Sequence, residues 1–218
     1  MHLIIGNKNY SSWSLRGWFM LKAYNLSFTE TRLPLLEDDF YTKIVDYSPA
    51  GKVPVLIDNG INVWDSLAIC EYINETHLNN TAWPADPADR ATARAIACEM
   101  HSGFFGVRNE MPMNCRAKRL IEFSADALKD IARIDQMWAD LRASHADRGP
   151  WLFGDFSIAD VMYAPVALRF HTYNPAISEL SQQYVDTVLV HPAIQHWVKD
   201  AKQETEVVQE DEAGTPVT

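Results

Sequence analysis

The spacing of apolar residues changes character part-way along the chain. Leu3-Ile4-Ile5 is a short apolar run closed by Gly6, which predicts a buried strand, and from Ser14 to Tyr24 the residues Leu15, Trp18 and Phe19, with Leu26 beyond them, fall at helical intervals. Phe28 to Leu33 alternates like a strand, Phe40 to Asp46 predicts a short helix, and Val53 to Ile57 predicts a strand closed by an Asp58-Asn59-Gly60 turn, with Val63-Trp64 returning. From Ser66 onward Leu67, Ile69, Cys70 and Ile73 line one face of a helix that keeps Glu71 and Glu75 outside and stops at Asn79-Asn80. The expected order is β-α-β-α-β-β-α.

The two prolines of Ala82-Trp83-Pro84-Ala85-Asp86-Pro87 interrupt this pattern as a linker would, and everything beyond has helical periodicity. An alanine-rich segment runs from Ala88 to about Asn114 with a break at Pro112, followed by helices over Ala125 to Ala146, Ile158 to His171 and His191 to Lys202. The expected organisation is an α/β domain over residues 1–80, a linker at 81–87, an all-α helical bundle over 88–202 and a tail over 203–218. That tail carries Glu204, Glu206, Glu210, Asp211 and Glu212 and no Lys or Arg. Its few apolar residues predict a solvated, partly disordered extension.

Composition narrows the partners. Hydrophobic residues make up 47% of the 218 positions and charged residues 22%, as in ordinary folded proteins, so a sizeable core is expected. Lys and Arg number 19 against 29 Asp and Glu, a net charge of −10, which is the wrong sign for a nucleic-acid partner. No apolar run is long enough to span a membrane and no leader pattern opens the chain, so a cytoplasmic protein is expected. Cys70, Cys98 and Cys115 are odd in number and widely spaced, and the histidines show no ligand pattern, so neither a disulfide framework nor a metal site is expected. A Ser-His-Asp hydrolase is excluded by the lack of a Gly-x-Ser-x-Gly elbow.

The candidate chemistry gathers at turns that open helices. Ser11 and Ser12 stand where the loop after the first strand becomes a helix, so their hydroxyls and the neighbouring backbone N–H groups form an anion site, or else one of them caps the helix. Pro54 supplies no ladder N–H and is anomalous in mid-strand; a trans proline at a sheet edge would explain it, as would a special backbone turn. Asp65-Ser66 combines a turn, an N-cap hydroxyl and a helix N-terminus, which suits a carboxylate, while the acid suits an ammonium group; plain capping by Ser66 is the alternative. Ser157-Ile158-Ala159-Asp160 is a capping box and is assigned to folding.

The combination of Tyr10-Ser11-Ser12-Trp13-Ser14-Leu15-Arg16, Lys52-Val53-Pro54-Val55-Leu56, Trp64-Asp65-Ser66-Leu67-Ala68-Ile69 and Gly154-Asp155-Phe156-Ser157-Ile158-Ala159-Asp160, in this order and over almost the whole chain, resembles the cytosolic glutathione transferase superfamily. The resemblance implies a thioredoxin-like N-terminal domain, an all-helical C-terminal domain, glutathione as co-substrate, no metal, and a homodimer. It further implies that Pro54 is cis so that Val53 pairs with the glutathione main chain, that Lys52 meets the glycyl carboxylate, and that Asp65 and Ser66 hold the γ-glutamyl group. Catalysis would fall to Ser11, alone or together with Ser12, each able to stabilise the thiolate, with Tyr10, Trp13, His101, Phe104 and Arg108 lining an electrophile pocket. A hydroxyl bonded to the sulfur and the helix terminus together approach the roughly 2.7 kcal/mol needed to lower a thiol pKa by about two units.

The Ser-Ser-x-Ser-x-x-Arg pattern is most similar to the zeta class, whose members isomerise maleylacetoacetate or act on small α-halo acids, although Trp13 stands where that class carries cysteine. The serine loop holds no nucleophilic cysteine, which disfavours thiol transfer through a mixed disulfide. The expected activity is glutathione conjugation to small electrophiles, as in detoxification. A glutathione-dependent cis-trans isomerase and a non-catalytic scaffold are the alternatives; net consumption of glutathione separates the first, and the retained zwitterion site argues against the second.

Overall fold

Alternation along the first strand sorts its side chains onto two faces. Leu3 and Ile5 join one large apolar core, whereas Ile4 packs with Leu33, Phe40, Ile44 and Val55 in a smaller cluster on the other face. The computed structural model describes residues 1–35 and 37–217. Its first part comprises β1 (His2–Ile5), α1 (Ser12–Ala23), β2 (Thr29–Arg32), α2 (Phe40–Ile44), β3 (Val55–Asp58), β4 (Ile61–Trp64) and α3 (Ser66–His77), the predicted order. The sheet runs β2-β1-β3-β4, with β1 parallel to β2 and the other pairs antiparallel. The α1 crossover makes the parallel pair possible, and Asn59-Gly60, both with positive φ, join β3 to β4 in a two-residue hairpin. Pro54 lies just before β3, an interior strand, and the Val53-Pro54 bond is cis; the edge-strand explanation is therefore discarded.

The rest is α4 (Pro87–Ser102), α5 (Phe105–Glu110), β5 (Arg119–Leu120), α6 (Ala125–His145), α7 (Ile158–Tyr173), α8 (Glu179–Val190) and α9 (Pro192–Ala201), a 3-10 turn at Gln209–Asp211, and β6 (Thr215–Pro216). The α7 helix is buried at every position except His171 and forms the axis around which the others pack. Tyr163 of α7 donates to the Ile96 carbonyl of α4 at 3.1 Å, and Arg16 of α1 donates to the Met162 carbonyl of α7 at 3.1 Å, tying the sheet side to the helical side. The capping box forms: the Asp160 carboxylate accepts the Ser157 N–H at 2.9 Å and the Leu152 N–H at 3.1 Å.

Three expectations need correction. The alanine-rich helix breaks at Gly103, not Pro112: a Cβ at Gly103 would stand 2.8 Å from the Glu99 carbonyl oxygen, and Phe104 follows in the left-handed region. The α8 helix was not anticipated, although Ser178 caps it and Tyr184, Val185 and Val188 are buried along one side. The acidic segment is also not a solvated extension. Its carboxylates serve as counter-charges and acceptors, Val208 is buried, and β6 pairs with β5, so polar docking replaces the apolar burial that the segment lacks.

Candidate active site

The serine loop is a tight turn in which the Asn7 carbonyl accepts the N–H groups of Tyr10 and Ser11. Ser11 is the N-cap of α1: its Oγ accepts the Ser14 N–H at 3.3 Å and donates to Ser14 Oγ at 2.7 Å. Its hydroxyl proton is thus committed within the loop, as the capping alternative anticipated. Ser12, the first helical residue, is different. Its Oγ accepts from Arg169 Nη2 at 3.3 Å, and its own proton meets no acceptor among the described residues. Both serines line a cleft of about 500 Å³ between the serine loop and α5, with Trp13, Arg108 and Arg169.

A second cleft of about 480 Å³ continues past Trp13 along the start of α3 and contains Lys52, Val53, Pro54, Asp65 and Ser66. The five residues are thereby brought together from two segments, the loop before β3 and the start of α3. Asp65, not Ser66, caps α3: its Oδ1 accepts the N–H groups of Leu67 at 2.9 Å and Ala68 at 3.2 Å, and its φ of 76° is a strained value for a residue with a side chain. Ser66 is fully buried, and its Oγ has no hydrogen-bond partner among the described residues. A buried hydroxyl without a partner costs about 1–3 kcal/mol, and at a helix N-terminus facing a cleft it is well placed for an incoming acceptor.

Three guanidinium groups surround the junction of the clefts. Arg16 and Arg108 stack on the Trp13 ring at 4.6 and 4.7 Å from its centre, and Arg169 donates to the Met111 carbonyl at 2.7 Å beside Ser12. Arg108 also donates to the carbonyls of Gly103, Met100 and His101, closing the open end of α4. Burial, then the other arginines, lowers Arg16 to about 9 and Arg169 to about 10; burial also lowers Arg108. No carboxylate of the described residues lies within ion-pair distance of any of the three. In a chain of net charge −10, this is a local excess of positive charge, of which Arg108 and Arg169 face the first cleft while Arg16 is buried behind Trp13.

Of the expected pocket residues, Trp13 and Arg108 line the cleft, and so does the Tyr10 ring. The Tyr10 hydroxyl, however, points away, donating to Glu212 at 2.6 Å and accepting from Arg116 at 2.7 Å. Phe104, in the left-handed region, is buried in the core, and the exposed Phe105 that follows it stands in the cleft in its place. His101 lies behind Trp13, edge-on at 5.3 Å, with Nε2 at 3.1 Å from Asp65 Oδ2. Arg169 was missed; a single basic residue inside the apolar stretch from Val161 to Phe170 was the available signal. No cysteine of the described residues lines either cleft, and burial pushes the Cys115 thiol up to about 12.

Two family models match the chain: the glutathione S-transferase N-terminal domain over residues 10–76 and the glutathione S-transferase C-terminal domain over residues 118–200. Among curated relatives, a probable maleylacetoacetate isomerase of Caenorhabditis elegans is 27% identical, covering 83% of this chain and 88% of its own length. A glutathione S-transferase of Pseudomonas putida is 29% identical over 68% of this chain and 70% of its own. Among solved structures, a glutathione transferase homolog from Burkholderia GL BGR1 with bound glutathione superposes with a TM-score of 0.72 at 22% identity, covering 93% of this chain and 98% of that one. A maleyl pyruvate isomerase, described as a bacterial zeta-class enzyme, superposes with a TM-score of 0.69 at 18% identity over 95% of this chain and 100% of that one. With both family models matched in order over more than half of the chain, and the same fold over nearly its whole length, the chain belongs to the glutathione S-transferase superfamily.

Proposed function

We propose that this protein binds glutathione in the cleft between Lys52 and Ser66 and uses Ser12 to hold its thiolate for attack on a small anionic electrophile. The observation that carries the reading is the buried, unpartnered Ser66 hydroxyl at the start of α3, which needs an acceptor such as the γ-glutamyl carboxylate. Asp65 is the acid available to the α-ammonium, Val53 offers its backbone to the cysteinyl unit, and Lys52, on the wall of the same cleft, meets the glycyl carboxylate. The thiol would then lie at the junction, beside Ser12.

The Ser12 hydroxyl donates to the sulfur while accepting from Arg169, so the negative charge is stabilised by a charge-assisted bond of roughly 1.5–3 kcal/mol and by the α1 terminus at roughly 0.3–1 kcal/mol. The thiol proton leaves to solvent, and the thiolate forms the new C–S bond as the electrophile either expels its leaving group as an anion or opens an activated C=C bond whose electron pair takes a proton from solvent; Ser11 keeps the loop in shape. Arg108 and Arg169 support an electrophile that carries carboxylate. A second reading, a glutathione-dependent cis-trans isomerase, is favoured by the same cationic cleft and by relatives named maleylacetoacetate isomerase. There the thiolate adds and later departs, so glutathione is not consumed. A homodimer in the cytoplasm completes the proposal, with Ile61, exposed on the edge strand β4, as the residue through which the contact between copies is tested.

Calorimetric titration with glutathione and with cysteinylglycine, which lacks the γ-glutamyl group, tests the reading. Saturable binding of glutathione alone, weakened about tenfold or more in Ser66→Ala, is expected. Equal affinity for the two peptides, or none for glutathione, contradicts it.

A further inference from the structure

The segment after α9 is fastened across the outer side of the serine loop at several points. The Glu204 carboxylate accepts the N–H groups of Lys8 at 2.7 Å and Asn9 at 2.9 Å, and Arg116 donates to the carbonyls of Glu204 and Glu206. Further along, the Glu212 carboxylate accepts from Tyr10 and from Asn114 at 3.0 Å and pairs with Arg119. The Val217 N–H closes on the Lys118 carbonyl at 3.0 Å. Between these anchors the turn at Gln209–Asp211 brings one acid to the cleft. Asp211 lines it together with Ser12, Arg108 and Arg169, and it is the acidic side chain that does so among the described residues. It stands beyond ion-pair distance of Arg169 but close enough for the two charges to feel each other, and its partial burial raises its pKa.

We infer that Asp211 is a specificity-determining residue: the strap presents its carboxylate to the cleft so that the positive charge of Arg108 and Arg169 is partly offset, which favours electrophile moieties bearing one negative charge over those bearing two. A carboxylate this near to a bound ligand repels each ligand charge in turn, through a medium less screening than water because the cleft is walled by protein. The charges therefore count almost independently: a neutral moiety is indifferent to Asp211, a monoanion loses some of what the arginines contribute, and a dianion loses about twice as much in free energy. The anchors matter because a floating carboxylate would swing away from an anion at little cost, whereas Glu204 and Glu212 hold the turn in place.

This inference rests on the proposed placement of the electrophile, and its test separates the two. S-ethylglutathione, S-carboxymethylglutathione and S-(1,2-dicarboxyethyl)glutathione carry zero, one and two charges in the electrophile position. They are titrated calorimetrically into the full chain and into Asp211→Asn, with melting temperatures compared, and free succinate is titrated alone as a dianion that does not depend on the glutathione cleft. The expected result is unchanged affinity for the ethyl conjugate, a roughly threefold gain for the carboxymethyl conjugate, a roughly tenfold gain for the dicarboxyethyl conjugate and a gain of several-fold for succinate in Asp211→Asn. An equal change for all three conjugates, or none, overturns the role of Asp211 while leaving glutathione binding intact. Failure of every conjugate to bind, with succinate still gaining, overturns the glutathione reading and leaves Asp211 as the charge filter; succinate without a gain as well overturns both.

Discussion

Three serines at two helix starts are chemically alike and differ in what surrounds them. Ser11 spends its hydroxyl on Ser14, Ser12 keeps a proton to donate, and Ser66 meets neither donor nor acceptor among the described residues. Their alanine variants should therefore separate. Ser11→Ala loses a cap and should lower stability by about 1 kcal/mol. Ser66→Ala removes an unsatisfied buried hydroxyl and should leave the melting temperature equal or higher while weakening glutathione; thermal denaturation of the two variants checks the contrast, and a large loss of stability in Ser66→Ala would mean the hydroxyl has a partner. The residue types and loops of this site were legible in the sequence because turns, caps and prolines leave local marks. Which hydroxyl was free was not, because it depends on Ser14 and on Arg169, the latter 157 positions away in the chain.

At the scale of elements, the chain order from β1 to α3 was readable from periods of two and 3.6 and from the Asn59-Gly60 turn, whereas the β2-β1-β3-β4 order of the sheet was not, because periodicity does not say which strands pair. The break at Gly103 was not, since it is set by a close approach to the Glu99 carbonyl and by Arg108 closing the end of α4. The capping box at the start of α7 was legible and makes a prediction of its own: Ser157→Ala should cost about 0.5–2 kcal/mol, measured by denaturant unfolding, with catalysis retained. Its acid also carries a pH dependence. Burial raises Asp160 to about 6 in the folded protein, above the ordinary carboxylate value, so the folded state prefers it protonated. Its cost is absent below about pH 4 and fully present above about pH 6. Relative to Asp160→Asn, the wild-type chain should lose stability as pH rises through that window, by roughly 3 kcal/mol. A difference that stays flat or grows with pH would show that Asp160 is held as a carboxylate at no cost.

The whole molecule sets a cationic junction inside an acidic chain, and its long-range charges explain what local reading could not reach. The acidic segment looked solvated because its apolar content is low; it docks because Arg32, Arg116, Arg119 and two backbone N–H groups need its carboxylates. Association belongs to this scale too. If exposed Ile61 lies at the proposed contact between copies, Ile61→Glu should shift the mass measured by light scattering from dimer to monomer, and an unchanged dimer would place the contact elsewhere. The central claim concerns the thiolate that this arrangement holds, and the thiolate absorbs in the ultraviolet. The most direct measurement is the pH titration of that absorbance with glutathione bound, in the wild-type chain, Ser11→Ala and Ser12→Ala. The account predicts a bound thiol well below its value of about 8.5 in water, raised by about one to two units in Ser12→Ala and little changed in Ser11→Ala. A bound thiol that titrates as in free glutathione, or one moved by Ser11→Ala and untouched by Ser12→Ala, would contradict it.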